Sequence, residues 1–289
     1  MEHLVLNDSD IACLYRFKGN FDLAANASAA DRLQNAAMAV MVDTETTGTS
    51  ASDVVIEIAL QPFWFDVRTG VLLEISDPYE GLQDPGRPIP PEASAVNGIT
   101  DADVKGKVID WKRVNVMLEN AHFVIAYNAA FDRPMVSKGL QAAGLRPAKV
   151  SWVCAMDDIA WTKQPPRPPS KSLSCVCAWH GFFFKAHRAL DDCKATIHLL
   201  DVSRQLLVLL ERSKRGSVLV AAKDASFHSK DVLKERRYQW DPTKKYWWTE
   251  MADEPEQIDA EMQWLSEHVY CRAANTALTL AVPRTERFL

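Results

Sequence analysis

Residues 37–48 read AMAVMVDTETTG, an apolar run from Ala37 to Val42 that turns acidic at Asp43-Thr44-Glu45 and closes on Thr46-Thr47-Gly48. A short apolar run bounded by a turn reads as a buried strand. Strand residues two apart share a face, so Asp43 and Glu45 project side by side where the strand ends. Neighbouring carboxylates raise each other's pKa unless a cation neutralises them, and hard oxygen ligands of this kind suit Mg2+ or Mn2+. The Thr-Thr-Gly turn presents backbone N–H groups to a terminal hydroxyl or phosphate. Taken alone, acids at this spacing describe equally well a polar strand end meeting water.

Outward from this strand, 54–67 (VVIEIALQPFWFDV) and 70–81 (GVLLEISDPYEG) read as two paired strands across Arg68-Thr69-Gly70. The Pro- and Gly-punctuated stretch 85–104 leads into a helix, HFVIAYN (122–128) is a fourth strand, and FDRPMVSKGLQAAGL (131–145) is a helix ending near Gly144. KVSWVCAM (149–156) is a fifth strand, KQPPRPPSK (163–171) is a Pro-rich loop, and 172–182 and 189–214 read as helices, the second one long. Strands followed by alternating β and α units predict an α/β fold, a mixed sheet with helices on both faces. Residues 1–34 read as a helical extension, with Asp8 or Ser9 capping a turn and helix-forming composition over 28–37. A composition break near Ser213–Gly216 separates residues 35–212 from a small α+β module at 216–289.

Two further acidic elements lie on the larger segment. In Tyr127-Asn128-Ala129-Ala130-Phe131-Asp132 a strand runs straight into a helix, which puts Asp132 in the first turn, at the sheet edge where open α/β sheets bind ligands. In His187-Arg188-Ala189-Leu190-Asp191-Asp192, five helical residues would turn His187 about 140° away from Asp192. His187 is therefore expected on the loop before the helix, free to take a proton near neutral pH while Asp192 is fixed. Asp157 and Asp158 read as surface acids after a strand.

DTETTG, NAAFD and HRALDD, in this order on alternating β and α units, resemble the three motifs of the DEDDh branch of DnaQ-like 3′–5′ exonucleases, a family of RNase H-like fold. The resemblance covers roughly residues 36–205 and extends to VNGIT at 96–100, the family's substrate-side loop, where Asn97 stands in place of a common His. Helical phase and the family spacing both select Asp192 over Asp191. The resemblance implies that Asp43, Glu45, Asp132 and Asp192 hold two divalent cations, Mg2+ or Mn2+, and that His187 is the general base. It implies release of nucleoside 5′-monophosphates from the 3′ end of DNA or RNA. Thr46, Thr47, Gly48, Asn128, Phe131 and Asn97 are then expected to contact the terminal nucleotide.

The C-terminal module carries Tyr238, Trp240, Tyr246, Trp247 and Trp248 interleaved with Arg236, Arg237, Lys244 and Lys245, on a hairpin turning at Asp241-Pro242-Thr243-Lys244. Aromatic rings stack on unpaired bases and cations track phosphates, so Trp240, Lys244, Lys245, Trp247 and Trp248 are candidate contacts to a single strand. The competing reading makes the Trp residues the core of a module with little else to bury. The pattern resembles a HARP-type hairpin and the tails of some bacterial DnaQ-like exonucleases. Trp264 is expected to pack its acidic helix against this hairpin.

The net charge is −5, yet its sign is local: 214–250 has nine Lys and Arg against five acids, and 251–268 has six acids and no Lys or Arg. No run approaches the roughly 18 apolar residues that cross a bilayer, and the acidic N-terminus is unlike a secretory signal. Six scattered cysteines read as reduced thiols of a cytoplasmic protein, and Cys175, Cys177 and His180 match no standard zinc spacing. The favoured function is a free-standing exonuclease. A proofreading or repair subunit acting through a protein partner, or a homodimer, keeps the same chemistry. A binding module without hydrolysis is disfavoured because all five catalytic positions hold competent residue types.

Overall fold

The computed structural model describes residues 13–21, 23, 35–50, 52–163, 165, 167–271 and 274–289. The chain forms two compact units, one ending at Arg212 and taking back Phe288–Leu289, the other spanning Ser213–Arg287. Among the described residues no helix is long and apolar enough to cross a membrane.

In the larger unit a six-stranded sheet is built on β2 (Ala36–Thr46), flanked by β3 (Val55–Asp66) antiparallel and β6 (Phe123–Ala126) parallel, with β7 (Trp152–Cys154) parallel beyond β6. The outer edge of β3 takes two short strands, β4 (Leu72–Ile75) and β5 (Tyr79–Leu82), where the sequence suggests one. Pro78 lies between them, and a proline supplies no N–H to a ladder.

Strand alternation sorts the core into two layers. Ala37, Ala39 and Met41 of β2 face one cluster with Ala59, Phe63, Phe123 and Ile125. Against it packs α6 (Ala189–Val202), through the stripe Ala189, Cys193, Ile197 and Leu200. Val40 and Val42 face the opposite cluster, covered by α3 (Trp111–Glu119) and α4 (Ala129–Ala142). The small residues Ala189 and Cys193 let α6 lie close to the sheet, with the Cys193 thiol 3.7 Å from the carbonyls of both Met41 and Ala59. Between β5 and α3 run the short helices α1 (Pro91–Asn97) and α2 (Asp101–Val104).

Several expectations need correction. The segment 189–214 is two helices, because α6 stops at Val202 and α7 (Leu206–Ser213) starts afresh. Arg204 turns left-handed at φ 57°, and the N–H of Gln205 reaches back 2.9 Å to the Leu200 carbonyl, a Schellman stop made without glycine. The helix expected over 172–182 ends sooner: α5 (Leu173–Trp179) gives way at Gly181 to β8 (Phe182–Phe183). Within the expected helical extension, β1 (Tyr15–Arg16) is a strand paired parallel with β8. The rest of that expectation, including the caps at Asp8 or Ser9 and most of 28–37, lies outside the described residues. Asp158 is buried, with its side chain 6% exposed, bound to Arg212 at 3.0 Å and to the Cys154 N–H at 2.8 Å. Asp157 does lie at the surface, paired with Lys171.

The smaller unit is an antiparallel sheet in the order β10 (Gln239–Asp241), β11 (Tyr246–Ala252), β9 (Ser217–Ala222), β12 (Leu278–Val282). Its core joins Val218, Val220 and Tyr238 to Leu233 of α8 (Lys230–Glu235) and Leu265 of α9 (Pro255–His268).

Candidate active site

The alternation that fixes the core also aims the acids. Asp43 and Glu45 continue the β2 series Ala37, Ala39, Met41, so they project on the face that α6 covers. Asp192 comes from the first turn of α6. One carboxylate oxygen from each of Asp43, Glu45 and Asp192 lies within 4.8 Å of the others. Two oxygens bound to one ion at about 2.0–2.5 Å can be no more than about 5 Å apart, so this hard-oxygen set fits a divalent cation.

Asp132 arrives from the opposite layer, on the first turn of α4, and is only 3% exposed. Its Oδ1 accepts from the Thr44 N–H at 3.0 Å and from the Thr44 hydroxyl at 2.7 Å. Thr44 occupies the even face of β2 and so meets the helix on that side. Asp132 stands outside the close triplet, yet its charge is the carboxylate that most perturbs Asp43.

Burial and mutual repulsion raise all four groups. Asp43 is pushed well above the usual carboxylate range, first by desolvation and then by Asp132, Asp192, Glu45 and Glu57. Burial also lifts Glu45 to about 7, with Asp192 and Glu57 adding to the shift. Asp132 is raised to about 7 by burial, against the Thr44 hydrogen bonds. Asp192 rises to about 6, burial outweighing the N–H of Arg188, which donates to its Oδ2 at 3.1 Å. Such a cluster favours a neutralising cation.

His187 is exposed on the loop before α6, with φ 68°, and its charge bears on Asp192. Asp191 is exposed and belongs to no such cluster. The Asn97 side chain hydrogen-bonds Glu45 while its Oδ1 accepts from the Ile99 N–H at 2.9 Å. Asn128 is the residue before α4, and its carbonyl accepts from the N–H groups of Phe131 and Asp132. Phe131 is half-buried against the α4-side core.

The Thr46–Gly48 turn is more self-contained than the sequence suggests. The Thr47 N–H donates to the Val54 carbonyl at 3.0 Å, and its hydroxyl donates to Asp53 at 2.8 Å. The Gly48 N–H reaches Thr46 Oγ1 at 3.4 Å, and the Thr46 hydroxyl donates to the Gly48 carbonyl at 2.6 Å. A Cβ at Gly48 would lie 2.7 Å from Asp53 Oδ2, so only glycine fits this bend.

Sequence reasoning missed Glu57. It sits opposite Glu45 in the β2–β3 register, 4% exposed, and grips Arg188 and the Ala189 N–H at the start of α6. The available signal was one acid in the otherwise apolar run VVIEIAL, where a buried carboxylate must have a partner.

In the smaller unit the aromatics divide. Trp240 is 48% exposed, whereas Tyr238 and Tyr246 are buried and Trp247 packs on the core opposite Trp240. Trp248 is half-buried on the other face of β11, and Lys244 and Lys245 are exposed in the turn. Arg236 is held by Glu261 at 2.8 Å and lies over the Trp264 ring at 4.2 Å. Trp264 joins the core that includes Trp247 and stacks on His268.

The model of the RNase T exonuclease family matches residues 40–200. An uncharacterized exonuclease of Escherichia phage 186 is 29% identical over 177 residues, 56% of this chain and 86% of the phage protein. A PolC-type DNA polymerase III of Halalkalibacterium halodurans is 31% identical over 169 residues, which span only 11% of the polymerase. Among solved structures, the zinc-bound complex of E. coli exonuclease I with single-stranded DNA shares the fold, with a TM-score of 0.55 at 16% identity over 86% of this chain and 63% of that one.

Proposed function

The chain belongs to the RNase T exonuclease family, and from that membership we propose that it hydrolyses DNA or RNA stepwise from the 3′ end, releasing nucleoside 5′-monophosphates. The observation that carries this reading is the convergence of Asp43, Glu45 and Asp192 within 4.8 Å, with Asp132 beside them. Together the four carboxylates would hold two divalent cations, Mg2+ or Mn2+, which supply Lewis acidity and charge neutralisation at the scissile phosphate.

The chain's own residues do the rest. His187 takes the proton of the attacking water, whose oxygen bonds to phosphorus as the bond from phosphorus to the 3′ oxygen breaks. The shortened strand keeps a 3′-hydroxyl. The exposed loop lets the imidazole reach the water, while the Arg188 N–H fixes Asp192 behind it. Asn97 orients Glu45 through its amide, and Phe131, Asn128 and the Thr46–Gly48 turn pack against the terminal nucleotide. In the smaller unit, Trp240, Lys244 and Lys245 are the groups open to a single strand.

A panel of 3′- and 5′-labelled single- and double-stranded DNA and RNA, incubated with Mg2+ or Mn2+, tests the proposal. Labelled mononucleotide is expected first from the 3′ end, and a 3′-phosphate should protect the substrate. Degradation that starts from 5′ ends would overturn the reading. The similarity to part of a replicative polymerase keeps a second reading, proofreading or repair through a protein partner, which co-purification tests.

A further inference from the structure

A cavity of about 370 Å3 opens beside the first turn of α6, between β1 and the loop that carries His187. That volume falls within the range of about 300–1,000 Å3 typical of small-ligand sites. Arg16, Lys18, Lys185 and Lys194 line it, against a single carboxylate, Asp191. Among the described residues, none of the four cations forms an ion pair. Four unpaired cations gathered on a chain of net charge −5 point to an anionic ligand.

The backbone shapes the cavity for this purpose. Pairing of Arg16 with Phe183 brings the N-terminal strand alongside β8, so Lys18 and Lys185 approach the same space from two segments far apart in sequence. Gly19 turns left-handed at φ 80°, and a Cβ there would come within 3.2 Å of Lys194 Cδ. Glycine therefore lets the Lys194 stem lie across the chain with its ammonium at the cavity.

The position is as informative as the charge. Lys185 is two residues before His187, and Asp191 adjoins Asp192, so the cavity shares a loop and a helix with the candidate active site. We propose that this cavity binds a phosphodiester group of the substrate strand close to the bond being cut. The proposal rests on the exonuclease reading above, since only a polymer has a further phosphate to place there.

The test uses the full chain and two double variants, Lys18→Ala with Lys185→Ala, and Lys18→Ala with Lys194→Ala. Each is checked for an unchanged melting temperature; Lys18 and Lys185 are both exposed, which keeps the first pair free of packing effects. Binding of a fluorescent single-stranded oligonucleotide should weaken on the order of tenfold at moderate salt. Its dependence on log salt should flatten by about 1.4, at about 0.7 per lost phosphate contact on a single strand. Steady-state rates on that oligonucleotide should show a raised KM with kcat nearly unchanged. The p-nitrophenyl ester of thymidine 5′-monophosphate, too short to reach the cavity, should be hydrolysed at the same rate by all three proteins.

An unchanged salt slope in both variants, with the ester still hydrolysed, overturns the cavity proposal and leaves the exonuclease reading standing. Weaker binding of a free 5′-mononucleotide with no change for the strand also overturns it. If the unaltered protein hydrolyses neither the ester nor the oligonucleotide, the exonuclease reading itself fails.

Discussion

Arg188 lays its guanidinium on the carboxylate of Glu57, with Nη2 2.6 Å from Oε1 and Nε 3.2 Å from both oxygens. Glu57 also accepts from the Ala189 N–H at 3.0 Å, so one buried side chain of β3 holds the start of α6. His187 precedes that clamp and Asp192 follows within one turn. The pair thus ties the base and one carboxylate to the strand that neighbours Asp43 and Glu45.

The two halves of this pair differ in what their loss leaves behind. Removing Arg188 strands Glu57 among Glu45 and Asp43, an uncompensated charge in a buried acidic cluster, which costs up to about 3–5 kcal/mol. Removing the carboxylate with Glu57→Gln leaves an arginine whose side chain is 45% exposed and keeps water. Arg188→Ala should therefore lower the melting temperature more than Glu57→Gln without added metal. Equal losses in thermal denaturation would show that the clamp is not seated among the acids.

His187 sits at φ 68°, a conformation that asparagine and glycine adopt more readily than histidine. His187→Gly and His187→Asn should therefore fold with equal or slightly higher stability, within ~1 kcal/mol. Both should slow hydrolysis by ~10²–10⁴-fold while leaving Mg2+ binding intact. Near-normal turnover by either variant would remove His187 from the chemistry. Asp43→Ala, in contrast, should abolish both metal binding and turnover.

The raised carboxylates give the protein a pH signature. Glu45 and Asp132 at about 7 and Asp192 at about 6 lie above the ~4 of an unfolded chain. The folded state then holds more protons than the unfolded state between roughly pH 4 and 7, so stability falls as pH rises through that window. His198, whose buried ring has a lowered pKa, slopes the other way in the same region. The difference between chelated and Mg2+-saturated protein removes that contribution, which both share. The melting-temperature gap is expected to widen from pH 5 to pH 7.5 and to shrink at every pH in Asp43→Asn. A gap independent of pH would mean that the four acids do not form the cation site.

The acids were legible because strand and helix periodicity are local: Asp43 and Glu45 at i and i+2, Asp132 in a first turn, and Asp192 five residues after a loop His. What was hidden depends on partners far along the chain. Glu57 looks like a solvent-side strand residue until the register places it opposite Glu45, 131 residues before Arg188. The stop between α6 and α7 uses Arg204 where a glycine would have announced it. The β1–β8 pair joins two-residue strands too short to produce any alternation.

The final prediction separates grip from core in the C-terminal module. Trp240 and Trp247 face each other across β10 and β11, with ring centroids 5.6 Å apart, yet their surroundings differ. Trp240 is 48% exposed, while Trp247 packs on the cluster of Val218, Val220 and Leu265. Trp240→Ala should cost ~1–3 kcal/mol of single-strand binding, the worth of one stacked base, with a nearly normal melting temperature. Trp247→Ala should destabilise by ~2 kcal/mol, about half the cost of deleting a fully buried ring, and weaken binding only through lost structure. Lys244→Ala with Lys245→Ala should flatten the salt slope by about 1.4, because both ammonium groups extend from an exposed turn whose fold rests on Asp241 Oδ1 accepting from the Thr243 and Lys244 N–H groups. Turnover of the p-nitrophenyl ester should be unchanged in all three. If Trp240→Ala and the double lysine variant both bind long single strands with normal affinity and salt slope, the module does not hold nucleic acid, and docking to a protein becomes the better account of its exposed tryptophan.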